Sequence, residues 1–227
     1  MRTSILTILA YFVMCSVSYA SDVYITQSGA SLTANINQDG QTNRFGVTGT
    51  VVTLTGDNQT LDIDQVGNTN TIAASVVGAT QTLTINQAGS SNTSTVSVGA
   101  NSAADDNSII QAITGSSNTT TVNVGSSAAS SDADIDLVAT GSSNTVTINE
   151  NSTASMIGAD KKITSITAIG SSNTITSTHI GAADQDTTLH HTGSSSTFAI
   201  TQDGAHDGSV SITTVGSGHN VTVTMDD

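Results

Sequence analysis

Apolar side chains alternate with Thr, Ser or Asn along most of the chain after residue 20, with a period of two residues. Leu83 and Ile85 precede Gly89 in this way, and Val96 and Val98 follow it. The same alternation recurs on both sides of the other glycine turns and continues to the last residues of the chain. A period of two is typical of half-buried β-strands. The pattern therefore predicts an all-β protein.

The predicted strands are separated by a repeated Gly-x-x-Asn motif, with degenerate copies at Gly193 and Gly216. Successive motif glycines are 27, 22, 26, 26, 29, 23 and 23 residues apart. The full motifs are Gly40 with Asn43, Gly67 with Asn70, Gly89 with Asn92, Gly115 with Asn118, Gly141 with Asn144, and Gly170 with Asn173. A second glycine, such as Gly56 or Gly78, lies between most of them. Such spacing predicts a β-solenoid of about eight two-stranded rungs.

The tight Gly-x-x-Asn turns are expected on one side of this solenoid and variable loops on the other. The extra residues of the longer repeats mostly follow the second glycine, in segments 101–107, 126–134 and 151–162. Solenoids carry such insertions as loops on one flank. Segment 41–55 is the exception, because its spacing predicts no register. Glycine is expected at the corners because the backbone turns there, where positive φ is often needed.

The first 20 residues have the pattern of a secretory signal peptide. Arg2 supplies a positive charge, residues 5–17 form a short apolar run, and Ser18 and Ala20 are small residues before Ser21. The run is too short to span a bilayer, so no membrane insertion is expected. We expect residues 21–227 to form one secreted domain, extracellular or at the cell surface. The alternative is a cytoplasmic protein with an apolar start.

The amino-acid composition of the chain excludes some classes of function. The chain has 18 Asp and Glu against 4 Lys and Arg, a formal charge of −14, which excludes a nucleic-acid partner. Aromatic residues make up 3% and proline is absent, as expected for a thin core whose strands are all hydrogen-bonded. The one cysteine, Cys15, lies within the predicted signal peptide. The acids are expected mostly in turns and loops, where they would slow lateral aggregation.

Near the turns, amide side chains occupy the same alternate strand positions as the aliphatic residues that are expected to be buried. They are the motif asparagines together with Gln27, Gln38, Gln65 and Gln87. Pointing inward, stacked amides would each donate to one neighbouring rung and accept from the other. Buried amides are tolerated when they are paired in this way. The alternative is that Asn merely favours the turn conformation.

Residues 85–92, Ile-Asn-Gln-Ala-Gly-Ser-Ser-Asn, resemble the repeat of the curlin family, the subunits of curli amyloid fibres. The Gln-x-Gly-x-x-Asn pattern also occurs at 38–43 and 65–70, and partial copies begin at Gln27 and Gln202. Later repeats replace the glutamine with Ile113, Ala139, Ala168, His191 and Thr214. The resemblance implies a fibre subunit that assembles head to tail with itself, served by a curli-type nucleator and secretion machinery.

The ends of the predicted solenoid support self-assembly. The last strand, residues 221–225, runs almost to the end of the sequence, and neither a helical cap nor a proline blocks it. Open edges invite further strands, and head-to-tail addition gives filaments. The leading hypothesis is thus a fibre subunit for a biofilm matrix or for adhesion. Asp226 and Asp227 could instead act as gatekeepers against polymerisation.

Outward positions after the tight turns carry an array of threonines. Its members are Thr93 and Thr95, Thr119 and Thr121, Thr145 and Thr147, Thr174 and Thr176, and Thr222 and Thr224. The array resembles the Thr-x-Thr surface of ice-binding β-solenoids, although Thr is common on any exposed strand. Ice binding is therefore the alternative function, and a phage or adhesin fibre segment is a third.

The sequence offers few candidate residues for metal binding or catalysis. Asp132, Asp134 and Asp136 alternate as a weak calcium site or a solvated acidic loop would, and 105–106 is a similar acidic pair. His190 and His191 point to opposite faces of a strand, so one of them faces outward. The sequence shows no phosphate loop, no Gly-x-Ser-x-Gly motif and no recognisable constellation of Ser with His and Asp. We therefore expect no enzyme and no resident cofactor.

Overall fold

The computed structural model describes residues 21–47, 49–99, 107–125, 133–151, 161–181, 184–204 and 208–226, and the predicted signal peptide lies outside them. Every regular element in these ranges is a β-strand. The strands are β1 (Ser21–Val23), β2 (Thr26–Ser28), β3 (Thr33–Asp39), β4 (Thr42–Phe45), β5 (Val52–Thr55), β6 (Gln59–Val66), β7 (Thr69–Val77), β8 (Gln81–Ala88), β9 (Ser91–Val98), β10 (Asn107–Thr114), β11 (Ser117–Val124), β12 (Ala133–Thr140), β13 (Ser143–Asn151), β14 (Lys161–Ile169), β15 (Thr174–Ile180), β16 (Asp184–Ser194), β17 (Thr197–Asp203), β18 (Gly208–Ser217) and β19 (Asn220–Asp226).

The strands form two parallel sheets. Sheet A has the order β1-β4-β7-β9-β11-β13-β15-β17-β19, with β2 and β5 completing its first levels. Sheet B has the order β3-β6-β8-β10-β12-β14-β16-β18. The chain crosses from one sheet to the other after almost every strand, so it winds as a β-solenoid of about 7 turns. The predicted all-β solenoid class is confirmed.

Each full rung runs from a strand of sheet B through the tight glycine turn to a strand of sheet A. Strand β8, the turn at Gly89 and strand β9 form one such rung. Equivalent residues stack directly in the next rungs, as Leu83 does on Leu61 and Ile109 on Leu83. The tight turns therefore lie on one side, and the wider connections lie on the other.

The core is a thin layer between the two sheets. Val, Ile, Leu and Ala fill it, and buried positions alternate with exposed ones along β3, β8 and β9. The largest fully buried side chains are Phe45 and Phe198. Burial of about 25 cal/mol per Å² of apolar surface is the main stabilising term in such a layer. Small aliphatic residues suffice because facing strands are close.

Segment 41–55 holds an insertion inside a strand rather than at a corner. Phe45 pairs with Ile72, whereas Val52 pairs with Ala74, so only Ala73 of β7 lies between the two paired positions. The segment folds back through an antiparallel bridge between Val47 and Thr50. The strand resumes with the same face inward, which keeps the core continuous. This is why the glycine spacing alone predicted no register.

The predicted loops were too long at their ends. Asn107 opens β10 with its side chain buried, Asp134 lies on β12, and Asn151 and Lys162 lie on β13 and β14. These residues pair with strands of neighbouring rungs, which extend pairing towards the corner. The rest of the three segments lies outside the described residues.

The expectation that acids mostly occupy turns and loops was wrong. Most of the described acids lie on strands, and six of these face outward on sheet B: Asp62, Asp64, Asp134, Asp136, Asp184 and Asp186. An outward position on a strand is as well solvated as a loop, so a carboxylate there avoids the cost of burial.

Candidate functional site

An asparagine ladder runs along the tight-turn corner. Asn70 Nδ2 donates to Asn92 Oδ1 at 3.0 Å, and Asn92 Nδ2 donates to Asn118 Oδ1 at 3.0 Å. The ladder continues from Asn118 to Asn144 at 2.8 Å and from Asn144 to Asn173 at 2.9 Å. Each of these side chains is buried. The donors all point towards the C-terminal rungs.

The two ends of this ladder differ from its middle. Asn43 Nδ2 donates to the carbonyls of Gln38 and Val66, at 3.1 and 2.8 Å. In the later rungs Ser196 and then His219 occupy the asparagine position. The ladder therefore ends on a serine and a histidine.

A shorter glutamine ladder runs beside it in the opposite direction. Gln65 Nε2 donates to Gln38 Oε1 at 2.7 Å, and Gln87 Nε2 donates to Gln65 Oε1 at 3.0 Å. Ile113 stacks on Gln87, so the glutamine ladder stops there. Gln27 is not a member, because it stacks on Leu54 at the other corner. Its placement in the ladder was wrong: a Gln-x-Gly segment precedes both kinds of corner.

The tight-turn glycines are required by close packing rather than by positive φ. A Cβ on Gly67 would collide with the carbonyl oxygen of Gly40, and one on Gly89 with that of Gly67. Gly115 and Gly141 are similarly close to the glycine one rung before. Among the tight-turn glycines positive φ occurs at Gly170, Gly193 and Gly216, and it also occurs at most glycines of the other corner. The expectation of positive φ was therefore wrong for most of the tight turns.

A second set of buried amides, which the sequence pattern did not predict, lies at the wide corner. Gln59 Nε2 donates to the Gly29 carbonyl at 2.9 Å, and Gln81 Nε2 donates to that of Gly56 at 3.2 Å. Both side chains are buried. The signal was present as a Gly-x-x-Gln spacing at 56–59 and 78–81.

The core also holds a buried Ser, His and Glu group, which the sequence pattern did not reveal. Ser177 Oγ lies 2.7 Å from His179 Nε2, and His179 Nδ1 lies 2.9 Å from Glu150 Oε2. Thr164 and Thr187 complete the hydrogen bonds at 2.7 and 3.1 Å. All five side chains are at most 1% exposed. With the serine hydroxyl inside the core, the group acts as packed structure.

The threonine array forms two straight files on the outer face of sheet A. Thr93, Thr119, Thr145 and Thr174 stack in one file, and Thr95, Thr121, Thr147 and Thr176 stack in the other. Thr222 follows Ala199 in the second file, whereas Thr224 follows Thr201 in a third. The predicted alignment of Thr222 and Thr224 with the other pairs was therefore wrong by one file, because an Asn replaces Thr at position 220.

The candidate calcium residues do not converge in the part of the chain that the structure describes. Asp134 and Asp136 are exposed on β12, while Asp132 and 105–106 lie outside the described residues. No group of three or more His, Cys, Asp or Glu side chains positioned for a metal ion occurs among the described residues. His190 is exposed and His191 is buried, as the alternation predicted.

The last rung has an open inner face. Val221, Val223 and Met225 have the inward parity of β19, yet they are 45%, 42% and 51% exposed. No described strand covers them. At the other end, β1, β2 and β3 present edges without a described partner on their outer side. Among the described residues no helix is long and apolar enough to cross a membrane.

No protein-family model, curated protein or solved structure matches this chain.

Proposed function

We propose that the protein is a secreted structural subunit of the curli type, which assembles end to end into extracellular amyloid-like fibres of a biofilm matrix or adhesive surface. The open inner face of β19 carries this proposal. Three exposed apolar side chains in a row are costly in water, and a further rung would bury them. The partner that we infer is a second copy of the chain.

The first strands of a second copy fit this end in register. Extending the stacked files by one level places Val221 on Val23 and Val223 on Ile25, because these residues share files through Phe45 and Val52. Apolar side chains meet apolar side chains at both of these positions in sheet A. In sheet B the same extension leaves one strand level open between β18 and β3 of the second copy, because the described part of sheet A has nine levels and that of sheet B has eight.

Backbone hydrogen bonding fits the same register. Asn220 N–H donates to Ser196 O, and Asp226 O accepts from Gly204 N–H. In a parallel pair a residue directs both backbone groups to one neighbour. Even-numbered residues of β19 therefore bond to β17, and odd-numbered residues face the open edge. At the N-terminal edge Val23 O and Ile25 O are used internally, so even-numbered residues face outward there. The two edges are complementary.

Val223→Pro tests this assembly. It removes a backbone N–H that makes no bond within the described chain, and proline is tolerated at such an edge position. We expect normal strand content by circular dichroism, but no fibres in electron micrographs and no thioflavin fluorescence. Val223→Ala keeps the N–H and is the matched control, which should still form fibres.

Fibres from folded Val223→Pro protein would contradict this end-to-end geometry. A wild-type protein that stays monomeric at high concentration would contradict the fibre function. If Asp226→Asn alone then allowed fibres, Asp226 would be assigned as a gatekeeper instead.

The proposed number of rungs, the curlin-like arrangement and the further partners rest on the sequence repeat. The sequence favours eight rungs, counted as the strands of sheet B with the sheet A strands that follow them, and a curlin-like arrangement. The opposed amide ladders support it, since stacked amides suit cross-β assembly. A nucleator and curli-type secretion machinery are the further partners that the resemblance implies.

The two threonine files support a second candidate function, ice binding. They are straight, uncharged and spaced by the strand separation of about 4.8 Å. Faceted ice growth in dilute wild-type protein would favour this function. It should be lost in Thr121→Lys and retained in Thr84→Lys, the control variant on sheet B. Round ice crystals at every protein concentration would contradict it.

A further inference from the structure

The two sheets of the described chain differ by one level. Strands β1 and β2 together form the first level of sheet A, and no described strand of sheet B shares that level with them. A second copy can therefore be stacked in two registers. With its β1 and β2 on β19, one level of sheet B stays open. With its β4 and β5 on β19, its β3 lies directly on β18 and both sheets continue without a gap. In this gap-free register β19 takes the place that β1 and β2 hold in the monomer.

The gap-free register covers the open apolar face of the last rung in both sheets. The members of each new pair belong to one stacked file, so the register follows from the strand pairing of the monomer. The pairs, with the residue of β18 or β19 first, are Val221 on Phe45, Val223 on Val52, Met225 on Leu54, Val210 on Ala34 and Ile212 on Ile36. Apolar side chains meet at all five positions, which is favourable in water.

The segment that β19 would displace fits its own place less well. Gln27 of β2 stacks on Leu54, and its Oε1 is buried without a hydrogen-bond partner among the described residues. Met225 belongs to the same file and needs no polar partner on Leu54. Val23 and Ile25, the inward residues next to Gln27, are only half-buried. Exchange therefore replaces a buried unpaired amide oxygen with an apolar contact, which removes a desolvation cost.

The gap-free register also brings together two polar groups that lack partners. Asn43 Oδ1 and both ring nitrogens of His219 are buried without a hydrogen-bond partner among the described residues. Both residues lie in the file of the asparagine ladder. An imidazole carries an N–H in either tautomer and in either charge state, so His219 can donate to Asn43 Oδ1 of the second copy. This bond would run in the same direction as those of the ladder, whose donors point towards the C-terminal rungs.

The backbone bonds of the displaced segment have direct replacements. Val23 O accepts from Gly46 N–H at 3.0 Å. Val221 O holds the same position in its file and faces the open edge of β19, so it can accept from Gly46 N–H of the second copy. Val223 O replaces Ile25 O in the same way.

The turn between β2 and β3 provides a hinge for the exchange. Gly29 and Ser31 have φ values of 140° and 64°, and residues 28–31 are exposed. Positive φ is unfavourable for serine, so release of the turn costs little. Leu32, directly after the turn, is buried and its carbonyl accepts from Thr60 N–H, so β3 stays in place.

We infer that residues 21–31 form a removable cap on the interface for a second copy, and that elongation displaces β1 and β2 so that β19 of another copy takes their place. The inference rests on the proposed end-to-end assembly. The interface comprises the edges of β3, β4 and β5 and the apolar side chains beside them. Its partner is the last rung, β18 and β19, of a second copy. Exchange of equivalent elements between copies has a low cost, since most contacts are remade.

Tyr24 reports on the cap without any substitution. It is the one tyrosine after residue 20, and the chain has no tryptophan. Its side chain is 49% exposed in the monomer. In wild-type protein that begins at Ser21, we expect acrylamide to quench Tyr24 fluorescence more strongly in fibres than in the monomer, because the cap is released. Weaker quenching in fibres would overturn the exchange, since β1 paired on β19 would cover Tyr24.

A disulfide across β2 and β5 tests the exchange by locking the cap. The double variant Thr26→Cys, Thr53→Cys joins two directly paired residues on the outer face of sheet A, where the strand spacing suits a disulfide. When it is oxidised, we expect seeded elongation to stop, and reduction should restore it. The matched control, Thr93→Cys with Thr119→Cys, joins paired outer positions of β9 and β11 and should elongate in both states.

The outcomes separate the exchange from the fibre function. Wild-type elongation by the oxidised cap variant, with its disulfide confirmed by mass, would overturn the exchange and leave the fibre function standing. Absence of wild-type fibres would overturn both. If the cap variant does not oxidise or does not fold, the Tyr24 measurement on the wild type decides alone.

Discussion

At the residue scale, the ladder asparagines should be the most sensitive polar positions. Asn118 accepts from Asn92 and donates to Asn144, so Asn118→Ala removes both bonds inside a closed core. We expect a loss of about 2–3 kcal/mol in the free energy of unfolding, because buried amide atoms lose their partners. Thr119→Ala, on the exposed face of the same strand, should cost about 0.5 kcal/mol or less. Urea denaturation measures both, and equal losses would contradict the ladder.

We expect substitution of Asp62 to raise the stability of the folded protein in a pH-dependent way. Partial burial raises its pKa above the usual value, and the nearby charge of Asp64 raises it further. The ionised carboxylate is therefore less favourable in the folded state than in the unfolded one. Asp62→Asn should raise the urea midpoint at neutral pH, and this gain should shrink as the pH falls through the Asp62 pKa. The pair measured at about pH 3 is the control, and an equal gain there would contradict the prediction.

Residue-scale predictions succeeded where one local rule decides the outcome. Parity alone placed Asn43, Asn70 and Asn92 inward, because every second residue of a strand shares a face. It could not place Gln27, since its position depends on which corner its glycine forms. The Glu150 and His179 pair escaped prediction because its members come together only when strands 29 residues apart are stacked.

At the element scale, the insertion between β4 and β5 gives a test of register. One residue must stand opposite Ala73 if the buried side chains of both β4 and β5 are to stay in the core. Deletion of 47–51 leaves Gly46 in that place, so we expect a folded solenoid with stability changed by about 1 kcal/mol or less. Deletion of 46–51 removes one residue more and turns Val52 and Leu54 outward. That variant should lose cooperative unfolding, and equal stability of the two deletions would contradict the register.

The elements themselves were largely predictable from the sequence, whereas the boundaries of the insertions were not. Alternation and glycine spacing specify strands that stack in parallel, which accounts for both sheets. The wide corners were predicted too long because residues such as Asn107 are polar yet continue the pairing. In segment 41–55 the insertion interrupts a strand without changing its parity, which the glycine spacing does not reveal.

At the scale of the whole molecule, the two outer faces differ in charge. From β7 to β15 the outward positions of sheet A are uncharged, whereas sheet B carries paired aspartates on β6, β12 and β16. The full chain has a formal charge of −14. Stacked copies would align their aspartate faces along one side of a fibre. Repulsion between copies should therefore oppose elongation at low salt.

Salt should accelerate elongation by screening this repulsion. Between about 20 mM and about 500 mM NaCl the Debye length falls from about 20 Å to about 4 Å, so charges on adjacent copies cease to interact over most distances. We expect seeded elongation to become several-fold faster, with a smaller increase in the double variant Asp134→Asn, Asp136→Asn. CaCl₂ and MgCl₂ at equal ionic strength should act alike. A rate independent of salt would contradict the repulsion, whereas acceleration by calcium alone would assign a calcium site to the acidic loops.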